Sequence, residues 1–302
     1  MASGRWTTPR ADALLRSLAL SALALAAPSL RAGICAASPG GPPAKPVYLT
    51  FDTGHMAVAP LIADVLKKHE VKVTFFAANE ATQTGNGSLG SDWAGWWQAR
   101  AAEGHEFASH TYDHSYWRAD LPTAPGGAGP RFRVRPSAGP SQGRDMLWTP
   151  AQYCAEVKKA ATRLQVLTGR EPLPLFRAPG GKTSPALLAV ARDCGFAHVG
   201  WAPAGFLGDE LPSNRFPNEM LLQKALRDIR AGDILVAHLG IWSRQDPWVP
   251  AVLEPLIVGL QARGFCFATL REHPQFKPWI AQHGAAASAV PVVPVVSAGG
   301  RS

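Results

Sequence analysis

Short apolar runs that alternate with amphipathic segments restrict the possible folds of this chain more than any other feature. The runs are rich in β-forming residues and almost continuously apolar, which is typical of strands covered on both faces of a parallel sheet. The seven predicted strands cover residues 47–52, 71–78, 105–110, 173–178, 196–201, 233–238 and 265–270. Apolar residues make up 46% of the 302 residues and charged residues 17%, so a buried core is possible and global disorder is excluded.

Helical segments separate these strands, and two of them begin with clear signals, Thr149-Pro150 and Ser184-Pro185. The predicted helices cover residues 59–69, 93–103, 150–167, 185–194, 217–230 and 250–263. Strand–helix alternation predicts an α/β fold, and seven strands predict a distorted (β/α) barrel of parallel strands in a single domain. A doubly wound open sheet is the alternative, because periodicity does not determine closure.

Four chemically versatile side chains lie at the predicted carboxyl ends of strands: Asp52, His110, Arg177 and His238. A barrel and a doubly wound sheet both form their active sites at this edge, because the loops that follow the strands converge there. We therefore expect these four side chains to form one site.

His110 and His114 are four residues apart, the first at a strand end and the second in the turn beyond it. Two neutral imidazoles can hold Zn²⁺ or a similar divalent ion and leave positions for a carboxylate and a water molecule. Because this spacing alone is a weak signal, a pair of surface histidines is the alternative interpretation.

Each of the other strand-end residues also has two interpretations. Asp52 suits general base catalysis or metal ligation, although an aspartate that caps the first helix is common. His238 suits a general acid, although it can equally be a buried core histidine. Arg177 lies beside a sharply turning Pro-Gly-Gly segment and suits a bidentate pairing with Asp52, although an ordinary turn has the same composition.

The N-terminus predicts a signal peptide over residues 1–37. Three arginines precede an apolar stretch, residues 18–30, that is too short and too rich in alanine to span a bilayer comfortably. We expect cleavage within the small-residue segment 32–37, and an uncleaved N-terminal anchor is the alternative. No other run is long and apolar enough to cross a membrane, so the sequence predicts a periplasmic or secreted protein.

The mature chain is predicted to have one domain, residues 38–280, followed by a disordered tail, residues 281–302, composed mainly of Ala, Val, Pro and Gly. Within the domain, residues 120–147 are rich in Pro and Gly. This segment is too long for an ordinary connection, so we expect it to be irregular and either functional or mobile.

Charge and cysteine content exclude some classes of protein. The formal net charge is +8, but no basic block is dense enough to predict a nucleic-acid partner. The contexts of the cysteines resemble helix or strand interiors, and the sequence does not predict a disulfide framework. The four cysteines are Cys35, Cys154, Cys194 and Cys266.

Three segments, residues 50–55, 109–114 and 176–181, occur in the order found in the polysaccharide deacetylases of the NodB-homology family, also grouped as carbohydrate esterase family 4. The chain resembles this family over residues 45–274. The resemblance implies that Asp52 is the catalytic base. It also implies that His110 and His114, together with Asp52 if the ligand set changes, hold a divalent metal ion, with Zn²⁺ expected and Co²⁺ as an alternative.

The resemblance further implies metal-assisted hydrolysis of the amide bond of an N-acetylated glycan. In this mechanism the ion polarises the acyl oxygen and activates a water molecule. Asp52 takes the proton of that water, Arg177 orients Asp52, and His238 protonates the departing amine.

Two positions depart from the pattern of the family. Thr53 stands where the family has a second aspartate that binds the metal, so the ion could recruit Asp52 or His55 instead, or be absent. The Asp-Thr pair at positions 52 and 53 is similar to the pattern found in the lipid-linked amino-arabinose deformylases. The aspartate that tunes the catalytic histidine in the family is not evident, and Asp209 and Asp246 are the candidates.

Five residues are candidates for substrate contact. The resemblance places Pro179 and Gly180 in the substrate groove. Trp201, Trp242 and Trp248 lie near predicted strand ends, where an indole can stack on a pyranose ring, although core packing is the alternative for each.

The sequence therefore predicts a secreted, metal-dependent carbohydrate N-deacetylase. A deformylase or amidohydrolase that acts on a lipid-linked or small amide is the first alternative. A catalytically silent glycan-binding protein is the second, motivated by Thr53.

Overall fold

Parallel strands form the centre of the protein. We used a computed structural model, which describes Met1, Cys35 and residues 44–123, 129–244 and 246–284. The predicted signal peptide, apart from Met1 and Cys35, lies outside the described residues, as do residues 285–302 of the predicted tail. The seven predicted strands are all present, and the strands are β1 (Lys45–Asp52), β2 (Thr74–Ala77), β3 (Glu106–Ser109), β4 (Ser115–Leu121), β5 (Arg131–Pro136), β6 (Met146–Trp148), β7 (Leu175–Phe176), β8 (Ala197–His198), β9 (Ile234–His238) and β10 (Phe265–Phe267).

The predicted helices are present as well, each within a few residues of its predicted bounds. Thr149 caps its helix with a capping box that includes Gln152, and Gly169 ends that helix in the left-handed conformation. Ser184 caps the next helix by accepting a hydrogen bond from the backbone N–H of Leu187. The helices are α1 (Ala59–Lys68), α2 (Ala94–Ala102), α3 (Pro150–Thr168), α4 (Pro185–Asp193), α5 (Asn218–Asp228), α6 (Leu253–Ala262) and α7 (Lys277–His283).

The seven-stranded sheet has the order β10-β1-β2-β3-β7-β8, and β9 pairs with the other half of β1. All of these pairings are parallel. Strands β8 and β9 are not paired by a regular ladder of hydrogen bonds. The segment 202–207 lies beside β9 instead, and the backbone N–H groups of Ala202 and Leu207 donate to carbonyls of β9. The predicted distorted α/β barrel of a single domain is therefore confirmed, and the irregular seam explains its distortion.

The prediction that residues 120–147 are irregular is wrong for much of the segment. Strands β4, β5 and β6 form an antiparallel three-stranded sheet. In β5, Phe132 and Val134 are buried while Arg133 and Arg135 are exposed, an alternation of period two that the surrounding Pro and Gly residues obscured. This sheet begins directly after the turn that contains His114, so it lies beside the expected site.

Two disulfide bonds correct the prediction that no disulfide framework exists. Cys35 pairs with Cys266 in β10, and Cys154 in α3 pairs with Cys194 at the end of α4. Their Cα atoms are 5.4 and 6.0 Å apart, which is normal for a disulfide. The pairs are separated by 231 and 40 positions, so the interior contexts of the cysteines gave no sign of their proximity.

The structure also bears on the predicted end of the domain and on the search for membrane-spanning helices. Helix α7 continues to His283, three residues past the predicted domain end at 280, and its Ile280 packs into the core. Among the described residues, no helix has the length and apolar character needed to cross a membrane.

Candidate active site

Strand β1 carries the central residue of the site at its last position. Asp52 is in register with Phe76 on β2 and with His238 on β9, so the carboxylate and the imidazole project from neighbouring strand ends. Just beyond, Gly54 lies so close to the backbone of Gly240 that a Cβ atom would overlap the carbonyl oxygen of Gly240. The absence of a side chain at position 54 thus allows the ends of β1 and β9 to stay together.

Arg177 holds Asp52 from beneath. The guanidinium is completely buried, and its Nη1 donates to Asp52 Oδ1 at 2.7 Å and to Thr50 Oγ1 at 2.8 Å. The predicted bidentate pairing is not formed, because Nε and Nη2 donate instead to the carbonyls of Val199 and Gly200. This division of donors fixes the guanidinium to β1 and to the segment that follows β8, and it leaves Asp52 Oδ2 free of Arg177.

The environment keeps Asp52 ionised. Burial raises the pKa of its carboxyl group, but the positive charge of Arg177, helped by His110 and His238, outweighs burial and places the pKa below the usual value. A buried carboxylate stays charged in a protein when it is paired and hydrogen-bonded, and Arg177 provides both interactions to Asp52.

His110 and His114 present the same ring nitrogen to the site. His110 Nδ1 lies 2.9 Å from the carbonyl oxygen of Arg177. Since a carbonyl only accepts, Nδ1 carries the proton and Nε2 has the lone pair. The hydroxyl of Ser137 donates to the carbonyl of His114 and lies 2.5 Å from Nδ1 of the same residue, which assigns the proton of His114 to Nδ1 as well.

Burial lowers the pKa of His110 to about 4, so this imidazole is neutral near pH 7. Its Nε2 lies 3.5 Å from Asp52 Oδ2. A tight turn with positive φ at Thr111 and at His114 brings the second imidazole back, and the two ring centroids are 4.8 Å apart.

His238 is held by Asp209. The ring Nδ1 lies 3.1 Å from Asp209 Oδ1, and the backbone N–H of His238 donates to Oδ2 at 2.6 Å. Burial lowers the pKa of His238, but the charge and hydrogen bond of Asp209 dominate, and the pKa rises to about 9. Of the two candidate aspartates, Asp209 therefore contacts the histidine, whereas Asp246 pairs with Arg244.

These side chains line one pocket of about 140 Å³. It unites four sequence-predicted catalytic or metal residues, Asp52, His110, His114 and His238, with two predicted substrate residues, Gly180 and Trp201. Arg177 lies beneath it and touches the pocket through Asp52. The other lining residues are Thr53, Glu80, Tyr116, Phe206, Glu210, Val236 and Ile241.

The other predicted substrate residues do not line this pocket. Trp248 is only 4% exposed and packs in the main core, and it lines a neighbouring cavity of about 190 Å³. Trp242 is 66% exposed and stands edge-on to His55, outside the pocket. Pro179 is buried and begins the tight turn that places Gly180 against Tyr116. His55 accepts a hydrogen bond from its own turn and lines the same adjoining cavity as Trp248, which shares His238 and Ile241 with the pocket.

Glu80 is the site residue that the sequence analysis missed. It lies three residues after β2, is 20% exposed, and places Oε1 3.7 Å from His114 Nδ1. Its Oε2 accepts a hydrogen bond from Thr53 Oγ1 at 2.7 Å. A carboxylate soon after the second strand, at the edge where Asp52 and His110 were expected, was the available signal.

The donor chemistry of the pocket fits a divalent ion. His110 and His114 are each oriented by a protein acceptor at Nδ1, which leaves Nε2 for a ligand and is typical of metal-binding histidines. Carboxylates of Asp52 and Glu80 line the same pocket. In the described part of the chain, no group of three His, Cys, Asp or Glu side chains has the arrangement needed to hold a metal ion.

Comparisons with known proteins agree with this fold. The model of the family described as "Polysaccharide deacetylase" matches residues 40–199, more than half of the chain. The chitooligosaccharide deacetylase of Azorhizobium caulinodans is 25% identical over 236 residues, which cover 74% of this chain and 92% of that protein. The peptidoglycan-N-acetylglucosamine deacetylase of Bacillus cereus is 23% identical over 238 residues, covering 77% and 90%.

Solved structures share the fold. A family 4 acetyl xylan esterase from Clostridium thermocellum, in complex with a cobalt ion, has a TM-score of 0.55 at 24% identity and covers 78% of this chain and 92% of its own. A CE4 family pseudoenzyme from Bacillus anthracis has a TM-score of 0.53 at 18% identity, covering 76% and 65%. The chain thus belongs to the polysaccharide deacetylase family, whose members carry the NodB-homology domain of carbohydrate esterase family 4.

Proposed function

We propose that this protein is a metal-dependent N-deacetylase that removes acetyl groups from an amino-sugar polysaccharide or oligosaccharide. The observation that carries this proposal is that one pocket contains both an ionised carboxylate and a protonated imidazole. Asp52 is kept ionised by Arg177, His238 is kept protonated by Asp209, and the two lie on neighbouring strand ends. An amide hydrolase needs such a base and such an acid within reach of one substrate.

The metal site of this proposal is formed by His110 and His114, with a carboxylate of the same pocket. Zn²⁺ is the ion we expect, because the imidazole Nε2 atoms and a carboxylate suit it, and Co²⁺ is an acceptable substitute. When bound, such an ion supplies Lewis-acid polarisation of the acyl oxygen and a lowered pKa for a nearby water.

The protein residues manage the two protons of the hydrolysis. Asp52 accepts a proton from the attacking water as the oxygen–carbon bond forms, and Arg177 fixes the orientation of its carboxylate. His238 donates its Nε2 proton to the departing nitrogen as the carbon–nitrogen bond breaks. The products are a carboxylic acid and a free amine, and a proton passes from Asp52 to His238 to restore the site.

The two disulfide bonds support a periplasmic or secreted location for this activity, because disulfides persist in oxidising compartments. The similarity to the chitooligosaccharide and peptidoglycan deacetylases supports an N-acetylated glycan as the substrate. Trp201 and Gly180 line the pocket and are the proposed contacts to the sugar, together with Pro179 as the support of the turn.

Acetate release from N-acetylated chito-oligosaccharides tests the proposal. The protein is assayed after metal removal and again after Zn²⁺ or Co²⁺ is restored. We expect release only in the presence of metal. A fully loaded protein that binds the oligosaccharide but releases no acetate would identify a silent glycan-binding protein instead.

One observation favours a second candidate, a hydrolase of small or lipid-linked amides. The pocket measures only about 140 Å³ and is flanked by Phe206, Val236 and Ile241, as expected for a compact acyl substrate with an apolar surround. Formate release from an N-formyl amino sugar that exceeds acetate release from chito-oligosaccharides would select this candidate.

A further inference from the structure

Glu80 lies beside Thr53 in the pocket, and Thr53 has no carboxylate with which to bind an ion. We infer that Glu80 supplies the carboxylate ligand of the divalent-ion site and that Thr53 is the positioning residue that aims it. This inference rests on the proposed metal-dependent function, but it concerns binding of the ion and can be measured without turnover.

The side-chain hydroxyl of Thr53 has its one hydrogen committed to Glu80. Its Oγ1 accepts a hydrogen bond from the backbone N–H of Ala78 at 3.0 Å. The hydroxyl hydrogen therefore points to Glu80 Oε2, 2.7 Å away, because an ionised carboxylate only accepts. Position 53 thus contributes an oriented hydrogen bond to the carboxylate in place of a negative charge of its own.

The backbone of Glu80 is equally constrained. Its N–H donates to Ser88 Oγ at 3.1 Å, and its carbonyl accepts from the N–H of Ser88 at 2.8 Å. With Thr53 fixing Oε2, both ends of the residue are anchored. The remaining oxygen, Oε1, lies 3.7 Å from Nδ1 of His114, the ring nitrogen that faces Ser137, and Glu80 lines the same pocket as both imidazoles.

The other carboxylates that line the pocket have different tasks. Asp52 is bound to Arg177 through Oδ1, and its Oδ2, 3.5 Å from His110 Nε2, is the oxygen that the proposed base needs as its proton acceptor. Glu210 is exposed and acts on the site by raising the pKa of His238, through its charge and after the larger effect of Asp209. Glu80 is the carboxylate beside His114 that is oriented by a neutral donor.

In this arrangement the ion keeps a negatively charged ligand, but a different residue supplies it. Two imidazoles and one carboxylate remain available to the ion, but the carboxylate comes from the turn after β2 instead of from the end of β1. Asp52 is then spared for proton transfer. Thr53, which on sequence grounds suggested a weakened site, becomes part of the support for Glu80.

Zinc binding to the metal-stripped protein, measured by calorimetry and by equilibrium dialysis, tests this inference. Glu80→Gln removes the charge and keeps the shape, and we expect a loss of affinity of more than about 100-fold. Thr53→Val removes only the orienting hydrogen bond, and we expect a loss of about 10-fold, at the low end of the range for residues that orient metal ligands. Glu210→Gln is the matched control in the same pocket, and its affinity should stay within about 2-fold of the wild type.

A rescue variant makes the test specific. Thr53→Asp combined with Glu80→Gln returns a carboxylate to position 53, and we expect it to recover at least about 10-fold of the lost affinity. Circular dichroism and melting temperatures of the metal-stripped proteins establish that each variant is folded. Equal zinc affinity of wild type and Glu80→Gln would overturn the inference, as would a folded wild type that binds no zinc.

The outcome is separable from that of the proposed function. Glu80-dependent zinc binding without hydrolysis of any N-acyl sugar would contradict the function and support the ligand assignment. Metal-dependent acetate release that Glu80→Gln leaves intact would do the reverse.

Discussion

Asp209 accepts hydrogen bonds from both the backbone N–H and the ring Nδ1 of His238, so a single buried carboxylate fixes the position and the charge of this imidazole. The residue comes from the irregular segment that follows β8, and His238 ends β9. The seam that distorts the barrel is therefore also the source of the group that raises the pKa of the proposed acid.

Replacing Asp209 by Asn should move the alkaline limb of the pH–rate profile to lower pH. In the wild type the pKa of His238 is raised to about 9, so the acid stays protonated throughout the neutral range. Without the carboxylate, burial dominates and the imidazole loses its proton near or below neutrality. We expect kcat at pH 8 to fall by about 100-fold or more, and less at pH 6.

Asp246→Asn is the matched control for that experiment, since Asp246 pairs with Arg244 and not with His238. Its alkaline limb should remain where the wild type has it. An Asp209→Asn profile that coincides with the wild type would remove Asp209 from the account.

The same pair should make stability depend on pH in a defined window. The folded-state pKa of His238 lies above its ordinary value of 6.5, so the Asp209–His238 interaction contributes its full stabilisation below pH 6.5. This contribution is lost as the pH rises through about 9. The difference in unfolding free energy between wild type and Asp209→Asn, measured by urea titration, should be larger at pH 6 than at pH 9.5. A constant difference would contradict the linkage.

Arg177→Lys should impair stability and catalysis together. Arg177 is fully buried and distributes its donors among Asp52, Thr50 and two carbonyls, a fork that an ammonium group cannot reproduce. We expect a loss of about 2–4 kcal/mol in unfolding free energy and a decrease of at least about 10-fold in kcat. Arg227→Lys on the exposed face of α5 is the control, with an expected change below about 0.5 kcal/mol.

The mature protein should retain Cys35. Because Cys35 is bonded to Cys266, signal cleavage has to occur before position 35, which narrows the predicted segment 32–37 to its first residues. Mass spectrometry of the exported protein, digested without reduction, should yield a linked peptide pair containing both cysteines. A mature N-terminus beyond position 35, or a lipid attached to Cys35, would be incompatible with this disulfide.

Sequence patterns identified the barrel and most of the site because both depend on local features. Apolar runs define parallel strands, and the convergence of their carboxyl ends brought Asp52, His110 and His238 together without any knowledge of contacts. Glu80 was missed because it lies in a turn, outside every motif, and its role depends on the neighbouring hydroxyl of Thr53. Asp209 was only one of two candidates, since the path of the chain through the seam has no periodic signal.

The incorrect predictions share a tertiary cause. The cysteine pairs and the antiparallel sheet depend on contacts between distant segments or on an alternation hidden among Pro and Gly residues.

The division of labour between Asp52 and His238 is the central claim, and it is tested most directly by acetate release from an N-acetylated chito-oligosaccharide. Wild type, Asp52→Asn and His238→Ala are compared as zinc-loaded, folded proteins. We expect metal-dependent release by the wild type and a decrease in kcat of at least about 100-fold in each variant, with oligosaccharide binding retained. Undiminished release by His238→Ala would contradict its assignment as the acid, and undiminished release by Asp52→Asn would contradict that of the base.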